Sequence, residues 1–170
     1  MRIINPNSLM LLALLLMLAC GESKKETEQE TVKMKTAETK QDVEDPNTTT
    51  ITLLSYDTMK YDKTQLTVPA GKTVKLTLKH VGQMPKNAMG HNFVLLKQDT
   101  EVSKFAAKAS AARDNDYIPE GTETVIVHTK MLGGGQSDTV TFEPPAPGTY
   151  TYICSFPGHY AMMQGTFTVE

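Results

Sequence analysis

The chain has 170 residues, 39% of them hydrophobic, and a net charge of −2 at pH 7. Residues 51–170 contain eleven acidic and eleven basic side chains, so the charge balance does not indicate nucleic acid as a partner. This stretch of about 120 residues is long enough for one domain with its own hydrophobic core.

The first twenty residues predict a bacterial lipoprotein signal. Arg2 precedes an eleven-residue apolar run from Leu9 to Ala19, which is too short to span a bilayer as a helix but is typical of a secretory signal peptide. The run ends in MLAC, which resembles a lipobox with a small residue directly before Cys20. We expect residues 1–19 to be removed and Cys20 to carry lipid. An ordinary signal peptide with an incidental cysteine is the alternative.

Residues 20–50 are predicted to form a disordered tether that begins at the lipidated cysteine. Residues 21–50 hold eight acidic and five basic side chains and no aromatic residue, so they cannot bury enough apolar surface to offset the entropy of ordering. A flexible chain of this length has a reach of about 30 Å. We therefore expect a domain attached to a bacterial cell envelope by its lipid, in the periplasm or at the outer surface.

Eight short segments of alternating character predict an all-β sandwich over residues 51–170. Pro-Ala-Gly, Gly-Gly-Gly and Pro-Gly turns separate these segments, a pattern typical of sandwiches. A segment rich in Ala and Lys, Thr100–Asp114, has Val102, Phe105 and Ala106 at helical spacing and predicts one short helix outside the sandwich. The predicted strands are Thr50–Tyr56, Gln65–Val68, Thr73–Lys79, Asn92–Leu96, Thr124–His128, Asp138–Phe142, Thr149–Cys154 and Gly165–Val169.

The last two predicted strands enclose a loop that carries Cys154, His159 and Met163 in the spacing C-x4-H-x3-M. A thiolate, an imidazole and a thioether form a soft ligand set that suits copper in both oxidation states. Trigonal copper with a weak axial methionine needs a second imidazole from elsewhere in the chain. His91 is the candidate, because it opens an apolar run and follows Gly90, where the absence of a side chain lets the backbone approach an ion.

The cysteine count supports the same site. The chain has two cysteines, and if Cys20 carries lipid, Cys154 has no disulfide partner in an oxidising compartment. Copper ligation would protect this lone thiol. Simple burial as a small hydrophobic side chain is the alternative.

These motifs resemble the azurins, members of the cupredoxin family of type 1 blue copper proteins. The similar segments are KHVGQMPKNAMGHNFVLL at 79–96, VIVHTKMLGGGQSDTVTF at 125–142 and YICSFPGHYAMMQGTFTV at 152–169. The resemblance implies a Greek-key cupredoxin domain over 51–170 that binds one copper and carries single electrons rather than acting as an enzyme. It also implies redox partners such as c-type cytochromes or copper-containing reductases and oxidases. The chain departs from the family in lacking a disulfide near the start of the domain and in having Phe93 where a tryptophan often stands.

The resemblance further implies a role for each residue of the site. The trigonal plane would consist of His91, Cys154 and His159, with Met163 as the long axial ligand and the Gly90 carbonyl opposite it. The backbone N–H groups of Asn92 and Phe156 would reach the sulfur, whereas Pro157 has no N–H and therefore removes a third possible donor. Two further histidines, His80 and His128, match positions that are not ligands.

A set of apolar and small residues on the two ligand-bearing segments resembles the surface that surrounds the exposed edge of the second ligand histidine in azurins. A contiguous apolar patch of this kind marks a contact surface. We expect redox partners to dock there. The patch residues are Met84, Ala88, Met89, Phe156, Pro157, Gly158, Ala161 and Met162.

Two other functions use the same residues. A copper storage or delivery protein would also need soft ligands, although delivery favours exposed and exchangeable ones. A catalytic function would use Cys154 as a nucleophile and His159 as a base. The motif offers no acidic or amide side chain to orient the base, and Met163 would then have no role.

Overall fold

Within residues 45–170, which the computed structural model describes, nine strands form two sheets. The strands are β1 (Thr48–Tyr56), β2 (Lys60–Tyr61), β3 (Gln65–Val68), β4 (Thr73–His80), β5 (Val94–Leu96), β6 (Val125–His128), β7 (Ser137–Phe142), β8 (Gly148–Ile153) and β9 (Gln164–Val169). The first sheet has the order β2-β1-β4-β7 and the second the order β3-β9-β8-β5-β6. The predicted all-β sandwich is therefore confirmed. The predicted signal peptide, Cys20 and the tether before residue 45 lie outside the described residues.

Two strand predictions differ from the structure at the N-terminal side. Strand β1 begins at Thr48, so the last three residues assigned to the tether belong to the sheet. They are held there because Thr48–Ser55 pairs in parallel with Thr73–His80, and because the Thr73 N–H donates to the Asn47 carbonyl at 3.0 Å. The two-residue strand β2 was not predicted, since a run this short has no visible alternation.

The core lies between the sheets and follows the alternation of the strands. In β4, Val74, Leu76 and Leu78 are fully buried, while the residues between them are half-buried or exposed. They pack in one cluster with residues of the second sheet, among them Tyr152 and Phe167. Burial of each such side chain contributes about 1.5–3 kcal/mol, so this cluster accounts for much of the stability of a domain with no described disulfide.

Two α-helices lie in loops of the sandwich. Helix α2 (Val102–Ala109) falls within the segment predicted to be helical and buries Phe105, Ala106 and Ala109, of which Phe105 and Ala109 belong to a second apolar cluster. A 3-10 helix, Arg113–Asn115, follows it. Helix α1 (Lys86–Met89) was not predicted, because four residues are too few to show a helical period. Between residues 45 and 170, no helix is long and apolar enough to cross a membrane.

Strand directions bring four loops together at one end of the sandwich. Strands β1 and β4 are parallel, so residues 57–59 and 81–93 leave the first sheet at the same end. Strand β7 is antiparallel to β4 and begins opposite its end, which places residues 129–136 at this end as well. Val94, the first residue of β5, pairs with His128 and Ile153, the last residues of β6 and β8, so residues 154–163 also lie here. All four predicted copper ligands lie in two of these loops.

Candidate metal centre

Three side chains of the predicted site converge at this end of the sandwich. The Nδ1 atoms of His91 and His159 lie 3.9 Å and 3.7 Å from the Cys154 Sγ. One donor atom from each residue lies within 4.8 Å of the others, so the three could hold one metal ion. His91 and Cys154 are fully buried, and His159 is 4% exposed. Two predicted ligands that are 63 residues apart in sequence, His91 and Cys154, thus lie close together.

Backbone hydrogen bonds hold the loop that carries Cys154, His159 and Met163. Cys154 follows the last residue of β8, and its N–H donates to the Met163 carbonyl at 2.9 Å. The Met163 N–H donates to the His159 carbonyl at 2.8 Å, and the His159 N–H to the Phe156 carbonyl at 3.0 Å. The loop is therefore a turn closed by backbone hydrogen bonds.

The protein also fixes the orientation of His91. Its backbone forms a two-way bridge to Leu132, with N···O distances of 3.0 and 2.8 Å. Its side-chain Nε2 lies 2.9 Å from the Tyr56 carbonyl oxygen, to which it donates. Because Nε2 carries the proton, the lone pair of Nδ1 points toward the sulfur and is available for a metal.

Met163 and Gly90 border the cluster of Cys154 and the two histidines. Met163 is fully buried in the same core cluster as Cys154, and the Gly90 carbonyl oxygen is 3.7 Å from the Cys154 Sγ. A Cβ atom at position 90 would lie 2.6 Å from the Lys86 carbonyl oxygen and 2.8 Å from Cδ2 of Phe156. Such distances leave no room for any side chain, so glycine is required for this close approach.

Burial shifts the pKa of each of the three clustered side chains toward the neutral form. Burial raises the pKa of the Cys154 thiol to about 12, although hydrogen bonds from the backbone N–H groups of Asn92 and Phe156 oppose this rise. Burial, followed by the neighbouring His80 and His159, lowers the pKa of His91 to about 4. Burial also lowers the pKa of His159. A thiol and two neutral imidazoles become a thiolate site only when a cation compensates for the buried charge.

Asn92 connects the two ligand segments through its side chain, a role that the sequence interpretation did not assign. Its Nδ2 donates to the Ser155 Oγ at 2.8 Å, and its Oδ1 accepts from the Ser155 N–H at 2.9 Å. Each of the two residues directly follows a predicted ligand in the chain. A polar residue next to each ligand was the one signal in the sequence, and it does not specify the partner.

The other two histidines of the domain are outside the ligand cluster. His80 is buried, and its Nε2 lies 3.0 Å from the Asp57 Oδ1, while its ring centroid is 4.4 Å from that of His91. His128 is exposed at the end of β6, with Nδ1 3.1 Å from the Thr129 carbonyl oxygen.

The predicted docking residues lie on the loops around His159 and expose apolar surface. Met162 is 60% exposed and Met84 is 38% exposed, which places both among the most exposed large hydrophobic side chains of residues 45–170. Phe156 packs on the His159 ring at a centroid distance of 4.6 Å. Two further members of the patch are half-buried, Met89 and Phe156. The other four are exposed: Ala88, Pro157, Gly158 and Ala161.

A β-sandwich with a buried Cys-His-His cluster, a buried methionine and a nearby glycine carbonyl at one end defines a small copper protein with a candidate single type 1 site. Residues 47–170 match the family described as copper binding proteins of the plastocyanin/azurin family. The chain belongs to this family, and copper is its cofactor. The resemblance and the cofactor predicted from the sequence are thus confirmed.

Relatives and solved structures agree with this assignment. The chain is 42% identical over 125 residues to the azurin of Pseudomonas fluorescens biotype C, covering 71% of this chain and 97% of the relative. It is 45% identical over 123 residues to the azurin of Achromobacter denitrificans, covering 70% and 83%. The crystal structure of reduced auracyanin from Roseiflexus castenholzii is similar with a TM-score of 0.66 and 40% identity, covering 72% of this chain and 97% of that one. The cupredoxin fold is therefore confirmed.

Proposed function

We propose that this protein is a blue copper electron carrier, in which His91, Cys154 and His159 would be the strong copper ligands, Met163 the weak thioether ligand and the Gly90 carbonyl a further weak contact. The observation that carries the proposal is the buried Cys-His-His cluster, whose donor atoms lie within 4.8 Å of one another. When bound, copper supplies a one-electron couple between Cu(II) and Cu(I). The chain contributes the thiolate, the two imidazoles and their fixed positions.

Rigid ligand positions support electron transfer over exchange of the metal. The turn from Cys154 to Met163 and the bridge from His91 to Leu132 are held by backbone hydrogen bonds between protein groups. Ligands held in this way move little between the two oxidation states, which keeps the reorganisation energy low. Full burial of Cys154 also argues against storage or delivery, because a partner cannot reach the thiolate.

The apolar patch around His159 supports docking of a redox protein, such as a c-type cytochrome or a copper-containing reductase or oxidase. The exposed side chains of Met84 and Met162 allow close approach without desolvation of a charged group. A small apolar contact area also suits a complex that forms and dissociates quickly.

The absorption and paramagnetic resonance spectra of the copper-loaded protein test this function. We expect an intense blue sulfur-to-copper band and a small copper hyperfine splitting, because the thiolate is strongly covalent with copper. Cys154→Ser should abolish the blue band, since a hydroxyl oxygen cannot replace the soft thiolate. Retention of the band in this variant would refute Cys154 as the ligand.

We also propose that lipid on Cys20 anchors the mature protein in a bacterial cell envelope, with residues 21–50 as the tether. The apolar run ending in MLAC and the polar composition of the tether support this anchor. Cys20→Ala should move the protein from the membrane to the soluble fraction without changing the copper spectrum, because the anchor is separate from the domain. A variant that stays with the membrane fraction would refute lipid on Cys20 as the anchor.

A further inference from the structure

The hairpin formed by β1 and β2 contributes no ligand, yet it touches the segment of the first ligand histidine twice. Tyr56 and Lys60 pair across this hairpin, as do Ser55 and Tyr61. The Tyr56 carbonyl accepts the proton of His91 Nε2, as described above. The second contact comes from the other strand, where the Tyr61 hydroxyl donates to the Asn92 carbonyl oxygen.

The peptide group between Asn92 and Phe93 is bound at both ends by buried hydroxyls. Its oxygen accepts from Tyr61, and its N–H donates to the Thr129 Oγ1 at 2.9 Å. Tyr61 is 8% exposed and Thr129 is fully buried, so water cannot replace either partner without a rearrangement of the loop. The Thr129 N–H in turn donates to the Phe93 carbonyl at 3.0 Å, which ties the same short segment to the end of β6.

This peptide group also positions Asn92, whose side chain exchanges two hydrogen bonds with Ser155, the residue directly after Cys154. A hydrogen bond from the Asn92 backbone also lowers the pKa of the Cys154 thiol. The direction of the Asn92 N–H depends on the backbone torsions of Asn92. These torsions are limited on one side by the bridge from His91 to Leu132 and on the other by the bound peptide group. A change at either hydroxyl therefore alters the hydrogen bond to the sulfur without removing a ligand.

We infer that Tyr61, together with Thr129, is a positioning residue that sets the hydrogen bond from the Asn92 backbone to the Cys154 sulfur and thereby the reduction potential of the copper site. The inference rests on the proposed function, since it concerns the potential of that same site. A hydrogen bond to the sulfur stabilises the reduced site more than the oxidised one, because the thiolate keeps more negative charge on Cu(I). A weaker bond lowers the potential.

Tyr152 provides a matched control for Tyr61. It is fully buried and its ring lies 5.6 Å from that of Tyr61, but its hydroxyl donates to the Lys63 carbonyl at 2.6 Å, away from both ligand segments. Tyr61→Phe and Tyr152→Phe each remove one buried hydroxyl and leave one carbonyl without its partner. Both variants should lose stability, but only Tyr61→Phe removes a hydrogen bond to the peptide group between Asn92 and Phe93.

The test is voltammetry and optical spectroscopy of the copper-loaded wild-type protein and both variants. We expect Tyr61→Phe to lower the potential and move the blue band to lower energy, and Tyr152→Phe to leave both unchanged. Equal potentials in all three proteins, or equal shifts in both variants, would overturn the inference. A wild-type protein without a blue band or a reversible one-electron couple would instead refute the proposed function.

A second pair of variants keeps the test decisive if Tyr61→Phe does not fold. Thr129→Val removes the partner of the Phe93 N–H at the other end of the same peptide group, whereas Thr129→Ser keeps the hydroxyl. We expect the valine variant to lower the potential and the serine variant to retain the wild-type value. The same low potential in both would show that packing of the threonine methyl, and not the hydroxyl, controls the site, and would overturn the inference.

Discussion

The Nε2 of His91 donates to the carbonyl oxygen of Tyr56 at 2.9 Å, while its Nδ1 lies 3.9 Å from the Cys154 sulfur. Strand β1 therefore orients the imidazole of one ligand, whereas strand β8 leads directly into the thiol of another. Because the two strands belong to different sheets, the site is built across the sandwich and shares its rigidity.

Copper uptake should release about one proton at pH 7, because the thiol must lose its proton and both imidazoles are already neutral. The Cys154 thiol has a pKa of about 12 before copper binds, and the pKa of His91 is about 4. Calorimetric titration of the metal-free protein with Cu(II) in buffers of different ionisation enthalpy measures this number. Release of no proton would contradict a neutral thiol, and Cys154→Ser serves as the control that has no thiol proton to lose.

The metal-free protein should lose stability as the pH falls from about 7 to 4. The pKa of His91 drops from 6.5 to about 4 on folding, so the unfolded chain takes up a proton first and the free energy of unfolding falls with pH across this window. Below pH 4 this group adds no further loss. The decrease should be about 3 kcal/mol, because one pKa unit corresponds to about 1.4 kcal/mol. Urea unfolding at pH 7, 5.5 and 4 measures the decrease, and the free energy of unfolding of His91→Gln should depend less steeply on pH. An equal pH dependence in the wild-type protein and the variant would show that other groups cause the loss.

The ligands themselves could be predicted from the sequence because Cys154, His159 and Met163 lie in one short loop with a distinctive spacing. The strands could be predicted from their alternation, which burial of one face imposes. The contacts that orient the ligands could not be predicted from the sequence. Tyr56 and Tyr61 reach the site through strand pairing with a register that no local pattern encodes. The Asn92 side chain likewise finds Ser155 only after the loops have met.

Gly90→Ala should distort the copper site although the backbone conformation at this position suits alanine, with φ at −71°. The added methyl group would meet the Lys86 carbonyl and the Phe156 ring, so α1 must move and take the Gly90 carbonyl away from the sulfur. We expect a loss of about 1–3 kcal/mol in unfolding free energy and a larger copper hyperfine splitting.

Gly121→Ala is the control for Gly90→Ala. Its φ of +64° makes it strained, but its Cβ meets no atom, so it should lose stability and keep the spectrum. A Gly90→Ala spectrum equal to that of the wild-type protein would contradict this account.

Met163→Leu should retain the blue colour and raise the reduction potential. Removing a weak thioether donor destabilises Cu(II) more than Cu(I), and the exchange nearly conserves side-chain volume in a fully buried position. Met131→Leu is the matched control, because Met131 is also buried at this end of the sandwich but is not a predicted ligand. Voltammetry of both variants measures the effect. A lower potential in Met163→Leu, or an equal rise in the control, would argue against the axial role.

Electron exchange through the apolar patch should slow when a charge is placed on it. Met162→Glu adds a carboxylate at a side chain that is 60% exposed, so the core and the ligands should keep their packing. Two proteins that approach through this patch would then have to desolvate the charge, which we expect to lower the rate of electron self-exchange at least tenfold, equivalent to about 1.4 kcal/mol or more in activation free energy. Ala161→Asp should act in the same way.

Thr50→Glu, at an exposed position near the start of β1, controls for the change in net charge. Self-exchange rates are measured by NMR line broadening beside the optical spectrum and the potential. Unchanged rates with an unchanged spectrum would exclude the patch as the electron exit, whereas an altered spectrum would show that Met162 packs the ligand loop instead.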